Sequence, residues 1–306
     1  MASPPRSVLG EPPERFVPEQ MGRSLLAAEH LVRYWWARAG AAGADVLDVA
    51  CGVGFGTELL ARSGARSVVG VDVSADAVAA ARERCGELAR VEQADLEALP
   101  LAADSVDLAV CFETIEHVPD PGRAISELRR VLRPGGTLAI SSPNRGVSPP
   151  GNPHHRREFT PGELEAELSG SFDRVELFAQ QSWFASFLVG RGDRGGDPER
   201  ELDVAVRSDE SLSPGTETYT VALAGDGAPP PALSRGAAFV AEPRGPDLLH
   251  AHVREAQRQA YVESARAEGL AADLAVARES LEAIKASPSW RLTAPLRSLK
   301  HRLRGP

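Results

Sequence analysis

The sequence predicts an α/β protein whose core is a doubly wound, mostly parallel sheet of seven strands. Two apolar runs, Val46 to Ala50 and Ser67 to Val73, each carry an acid at the carboxyl end, Asp48 and Asp72, and a third acid, Asp95, lies downstream. The acids are spaced 24 and 23 residues apart, the length of one strand, one helix and two short turns. Directly after the first run come Gly52, Gly54 and Gly56, which let the backbone turn tightly before a helix.

The elements are taken in chain order. Residues 1 to 20 are rich in proline and charge and read as extended, and Met21 to Ala39 reads as an amphipathic helix that caps the sheet. The main domain is expected over residues 44–225, with 1–43 as an N-terminal extension and capping helix. After the acids at 48, 72 and 95, Val106 to Phe112 is a further buried strand. Residues 128–144, LRRVLRPGGTLAISSPN, read as a helix, a Pro-Gly-Gly turn and a fifth strand. Phe172 to Gln180 and Glu217 to Gly225 complete the set, and residues 190–214, rich in Gly, Asp, Arg and Ser, read as a mobile insertion.

Beyond the sheet the pattern changes period. Residues 226–245 read as a flexible Gly-Pro linker and 246–286 as a long helix or coiled coil. Val253, Ala260, Ala267, Leu274 and Leu281 recur every seven residues, with Leu249, Ala256, Leu270, Ala277 and Ile284 interleaved and Glu263 out of place. Such a seam either pairs two copies as a homodimer or packs back on its own domain. Pro288 ends the helix, and residues 287–306 form a basic amphipathic tail.

Charge and cysteine usage narrow the class. The net charge of −9 divides into −14 over the first 285 residues and +5 in the tail, from Arg291, Arg297, Lys300, Arg302 and Arg304. An acidic body argues against nucleic-acid binding. The tail interleaves its cations with Trp290, Leu292, Leu296, Leu299 and Leu303, so it either lies on an anionic membrane surface or docks on a protein. Three cysteines without metal-ligand spacing suggest a reducing compartment. With prolines and charges at the N-terminus and no run of about 18 apolar residues, the protein is expected in the cytoplasm, at most peripheral to the membrane.

The acid at the first strand end indicates the ligand. A dinucleotide would bring its pyrophosphate to the glycine turn, where Asp48 repels it. A cationic ligand without phosphate fits better, and S-adenosylmethionine, with an ammonium and a sulfonium, is such a ligand. Asp72 then stands where a carboxylate accepts ribose hydroxyls. The ordered set VLDVACGVGFGT, SVVGVDV, VEQADLEALP, VDLAVCF and LRRVLRPGGTLAISSPN resembles a class I S-adenosylmethionine-dependent methyltransferase. The resemblance implies a Rossmann-like fold, with Asp48, Ala50, Gly52 and Gly54 at methionine, Asp72 and Val73 at ribose, Asp95 and Leu96 at adenine, and Phe112 alongside. Arg33, on the capping helix, is a candidate for the methionyl carboxylate.

Acceptor chemistry must lie in loops beyond the strand ends. FETIEHVPDP, residues 112–121, comes after the strand that in this fold faces the transferring methyl, and it supplies Glu113, Glu116 and His117. His117 suits a general base for an oxygen nucleophile, with Glu113 beside it. Glu113, Glu116 and His117 could also bind a divalent metal with one outside acid, but their spacing is not decisive and no metal is assigned. NPHHRREFTPGEL, residues 152–164, adds His155, Arg157 and Glu158 as acceptor-binding candidates, because arginine forks grip carboxylate or phosphate. Thr160 and Glu163 read as the cap of the next helix.

Taken with ERFVPEQ, EHLVRYWWA and the C-terminal SPSWRLTAPLR, these motifs look like a bacterial methyltransferase subgroup associated with surface-polysaccharide assembly. That resemblance implies methyl transfer to an oxygen of a glycan or glycan precursor. A small-molecule acceptor, natural product or quinone, is the alternative, and a non-catalytic coiled-coil scaffold of a polysaccharide machine is a third.

Overall fold

The computed structural model describes residues 25–147, 152, 154–182, 215–237, 264, 269, 271 and 274–286. The chain divides into two compact units, Met1–Glu255 and Ala256–Pro306. The expected extension at 1–20, the insertion at 190–214 and the tail at 287–306 lie outside the described residues.

In the first unit, helix α1 (Leu25–Ala37) runs into a 3₁₀ turn at Arg38–Gly40 and leads to β1 (Asp45–Val49). Next come α2 (Phe55–Arg62), β2 (Ser67–Asp72), α3 (Ala75–Cys85), β3 (Arg90–Gln93), β4 (Val106–Phe112), α4 (Pro121–Val131) and β5 (Leu132–Pro143). Helix α5 (Pro161–Ser169), β6 (Arg174–Gln180) and β7 (Tyr219–Gly225) end the sheet. The seven strands lie in the order β3-β2-β1-β4-β5-β7-β6. β1 to β5 are parallel, and β7 runs antiparallel between β5 and β6. The order reverses between β1 and β4, and the carboxyl edge there is where such sheets bind ligands.

Alternation along the strands builds a core on each face. Leu47 and Val49 of β1 and Cys111 of β4 join one cluster, while Val46, Leu108, Val110 and Phe112 join another. In α4, Ala124, Ile125, Leu128 and Val131 fall at helical spacing and are fully buried in the first cluster. Thr160 caps α5 in a reciprocal box with Glu163, as the Thr-x-x-Glu spacing predicts.

Two expectations need correction. The Pro-Gly-Gly segment does not separate helix from strand. It is a bulge within β5, where Val106 pairs with Leu132 but Leu108 pairs with Thr137, and Gly135 takes the left-handed conformation at φ +80°. The segment 226–237, expected as the start of a flexible linker, is docked. Leu233 is fully buried beside Gly40, and the Trp36 indole donates to the carbonyls of Leu233 and Arg235 at 3.0 Å each. Burying one leucine and satisfying an indole N–H holds a segment that composition alone marks as loose.

In the second unit, residues 274–286 are helical and exposed, with Leu274, Leu281 and Ile284 of the heptad seam among the exposed side chains. Ala277 of the seam is exposed as well, and the remaining seam positions lie outside the described residues. Among the described residues no helix is long and apolar enough to cross a membrane, and all three cysteines are buried and free.

Candidate active site

The turn after β1 is set by backbone that side chains resist. Ala50, Gly52 and Gly54 have φ values of +52°, +53° and +80°. A Cβ on Gly52 would meet nothing within 4 Å, so open space stands above the turn, as a bound ligand requires. At Gly54 a Cβ would come within 2.9 Å of the Ala81 backbone, so this glycine lets α3 pack against the turn.

Asp48 is fully buried under that turn. Its Oδ1 accepts from the Tyr34 hydroxyl at 3.0 Å and its Oδ2 from Thr57 at 2.6 Å. Burial pushes its carboxyl up to about 7, against the two donors that pull it down. Tyr34 and Thr57 are not legible in the sequence as its partners, since one lies on α1 and the other early in α2. Asp72 accepts from the amides of Gly52 and Ser74 at 2.9 Å each, which ties the ends of β1 and β2 together. Each oxygen of a carboxylate has a second lone pair that can accept a further donor. Val73, next to Asp72, is 66% exposed, an apolar side chain bare at the sheet edge. Asp95 is exposed and accepts from the Glu97 amide at 2.9 Å, and Leu96 is buried. Phe112 packs its ring edge-on against Tyr34 at 5.3 Å, inside the core rather than open at the edge.

Beyond β4 the polar groups are held differently. Glu113 has φ +50°, and its side chain accepts from Ser141 at 2.7 Å and lies 3.3 Å from Arg33. Arg33 is almost fully buried, donates to Gln180 at 3.0 Å, and leaves Nε and Nη2 without a partner. Two unpaired guanidinium N–H groups are what a carboxylate requires. Glu116 has no exposed surface and, among the described residues, no partner on either carboxylate oxygen. Burial, with Glu113 nearby, drives its carboxyl well above the usual range.

The connection at 152–158 folds against this loop. The amides of Arg156 and Arg157 donate to the Glu116 carbonyl at 2.8 and 3.2 Å. The rings of His117 and His155 meet edge to face at 4.8 Å. His117 Nδ1 is 3.0 Å from the His154 carbonyl, and burial lowers the pKa of its ring. His155 contacts Glu158 through Nδ1 at 2.5 Å and Asn152 through Nε2 at 2.8 Å. Thus Glu113, His117, His155 and Glu158 come together. Arg157 extends outward, 3.3 Å from Glu167 of α5 and over the Phe159 ring.

Residues 47–140, from β1 into β5, match the model of a methyltransferase domain family. This stretch is similar to a methyltransferase domain. A probable S-adenosylmethionine-dependent methyltransferase of Mycolicibacterium smegmatis is 38% identical over 168 residues, covering 53% of this chain and 65% of that protein. One of the same description from Mycobacterium tuberculosis is 40% identical over 160 residues, 51% of this chain and 58% of that protein. A ubiquinone biosynthesis O-methyltransferase of Methylococcus capsulatus is 40% identical over 113 residues, 35% of this chain and 46% of that protein. The chain thus spans less than two thirds of the length of each of these relatives. The described S-adenosylmethionine dependence of two of these relatives supports that cofactor for residues 47–140. The open turn over Gly52, the bare Val73 and the unpaired donors of Arg33 fit that ligand.

Proposed function

We propose that the protein transfers the methyl group of S-adenosylmethionine to a hydroxyl oxygen of an acceptor bound between the end of β4 and residues 152–158. The observation that carries this reading is the state of His117. A carbonyl accepts and never donates, so the 3.0 Å contact with His154 places the ring proton on Nδ1 and leaves Nε2 as the basic atom. Burial lowers the ring's pKa, which keeps that atom unprotonated near pH 7 and ready for a hydroxyl proton. Glu113 and Arg33 order the neighbouring end of β4, and Arg33 is assigned to the methionyl carboxylate. Asp48, Ala50, Gly52 and Gly54 are assigned to methionine, Asp72 and Val73 to ribose, and Asp95 and Leu96 to adenine. His155, Arg157 and Glu158 are assigned to the acceptor. S-adenosylmethionine supplies an activated methyl carbon, so the protein contributes chiefly alignment.

For the acceptor, the order of motifs favours a sugar hydroxyl of a glycan or glycan precursor. The ubiquinone biosynthesis O-methyltransferase among the relatives favours a phenolic hydroxyl as the second reading. Incubation with methyl-labelled cofactor and two sets of acceptors, nucleotide sugars with short glycans and catechols with quinols, separates the two. Label on a sugar oxygen is the expected result. Label only on phenolic oxygen establishes the second reading, and label on amines alone, or cofactor binding without transfer to any acceptor, overturns hydroxyl methylation.

A further inference from the structure

We propose that Glu116, His117 and His155 form a binding site for a first-row divalent metal ion. Each offers one ligand atom, and the three atoms lie within 4.8 Å of one another. Two observations point to an ion rather than to a chance cluster.

The first is Glu116 itself. Its two oxygens are completely buried and, among the described residues, meet no hydrogen-bond partner of good geometry. Its own amide and the Arg33 charge only partly offset this burial, and buried carboxylates are ordinarily paired or coordinate metals. The amides of Arg156 and Arg157 hold its carbonyl, so the residue's backbone is pinned while its carboxylate is left bare. Glu113, the other acid of the loop, is already taken by Ser141 and Arg33.

The second is the tautomer of the two rings. His117 must carry its proton on Nδ1, facing the His154 carbonyl, which leaves a lone pair on Nε2. His155 points Nδ1 at the Glu158 carboxylate and Nε2 at the Asn152 side chain, whose amide nitrogen only donates. Both rings therefore carry an acceptor Nε2 and a proton on Nδ1 facing an oxygen. That is the outer arrangement found behind metal-bound histidines, where a carbonyl or carboxylate orients the ring and raises its basicity.

In the ion-free protein the Asn152 amide meets the His155 lone pair that an ion would take. A flexible amide three residues away can swing off when the ion enters. Two imidazoles and one carboxylate suit zinc, cobalt, manganese or iron better than magnesium or calcium, and three protein ligands leave positions open to water or an acceptor oxygen.

The ion site stands on these contacts alone. Its catalytic consequence rests on the reading of the acceptor as a hydroxyl: a metal here would acidify that hydroxyl, and His117 Nε2 would serve as ligand instead of base.

The test uses the full chain, stripped with a chelator and titrated with Co²⁺ and then Zn²⁺ in the absence of cofactor and acceptor. We expect one equivalent of Co²⁺ bound, a visible d–d absorption band, and displacement by Zn²⁺. His155→Ala should weaken binding at least a hundredfold and Glu158→Gln about tenfold. His154→Ala, which keeps the backbone carbonyl and removes only an exposed ring, should leave binding unchanged. Absence of Co²⁺ binding, or binding that His154→Ala abolishes and His155→Ala spares, overturns the site. Chelated protein that still transfers methyl and loses turnover in His117→Ala would overturn the catalytic consequence and keep the base. Protein that binds Co²⁺ through these residues but methylates no hydroxyl would keep the ion site and overturn the acceptor reading.

Discussion

The two loops that flank the β1–β4 switch point are finished to different degrees. At the β1–β2 edge the buried acids are satisfied within the protein. Asp48 accepts two hydroxyls and Asp72 two amides, and the turn over them is fixed by backbone conformation. Beyond β4 the opposite holds: both oxygens of Glu116 and two nitrogens of Arg33 are buried without partners among the described residues. Folded proteins leave few such groups, and those they leave concentrate where a ligand completes them. On the proposed reading, the first region is a shaped surface for the cofactor, and the second is a set of groups completed by a bound ligand. Substitutions in the first should therefore cost stability or cofactor affinity, and those in the second should spare the fold.

The largest expected effect is at Gly56. A Cβ there would sit 2.0 Å from the Tyr34 ring, which cannot move without breaking its bond to Asp48. Gly56→Ala should destabilise the domain by about 3 kcal/mol or more, read as a large fall in Tm. An unchanged Tm would mean that Tyr34 has room to turn, and the β1–β2 edge would lose its claim to be rigidly specified.

Next is the pH dependence contributed by Asp48. Its carboxyl is raised from 3.8 to about 7 in the folded protein, so between those values the native state holds a proton that the unfolded chain has released. The folded state then binds more protons, and stability falls as pH rises through this window and levels off above about 7. Between pH 5 and 8 the loss should be about 2 to 3 kcal/mol, and Asp48→Asn should remove it. Denaturant titrations of both proteins at the two pH values check this, because other titrating groups are common to both. Equal slopes would mean that Tyr34 and Thr57 keep Asp48 ionised.

Asp72→Ala should weaken S-adenosylmethionine about tenfold to a hundredfold, which corresponds to about 1 to 3 kcal/mol for ribose hydroxyls left unpaired. Part of the loss would come from the amides of Gly52 and Ser74, which the carboxylate also holds. Calorimetry showing unchanged affinity would remove Asp72 from the ribose site.

The contrast between the loops also explains what the sequence can reveal. Asp48, Asp72 and Asp95 are legible because strand, turn and helix succeed one another locally and the acids mark the strand ends. The sheet order and the antiparallel β7 agree with a doubly wound, mostly parallel reading. The Pro-Gly-Gly bulge escapes the sequence because a turn between elements and a bulge inside one share the same residues. The docking of Leu233 on Trp36 depends on residues nearly 200 apart, which no local pattern reports. The same is true of the acceptor side: Glu116 and His117 give no ligand spacing until the connection at 152–158 brings in His155. In the sequence Glu116 is like any loop acid, since only tertiary packing reveals that its carboxylate is bare.

Arg157 marks the edge of that second region and carries the smallest expected effect. Its side chain is half exposed, 3.3 Å from Glu167, and an exposed ion pair of this kind contributes about 0 to 1 kcal/mol. Arg157→Ala should therefore leave Tm nearly unchanged. If the arginine leaves Glu167 to grip a charged acceptor, the variant should raise KM for that acceptor about threefold to tenfold at constant kcat, the pattern of lost uniform binding. A neutral acceptor should show no change, which separates charge recognition from a general loosening of the loop. An equal KM for both proteins with the charged acceptor would assign Arg157 to packing over Phe159 and confine acceptor recognition to the inner residues His155 and Glu158.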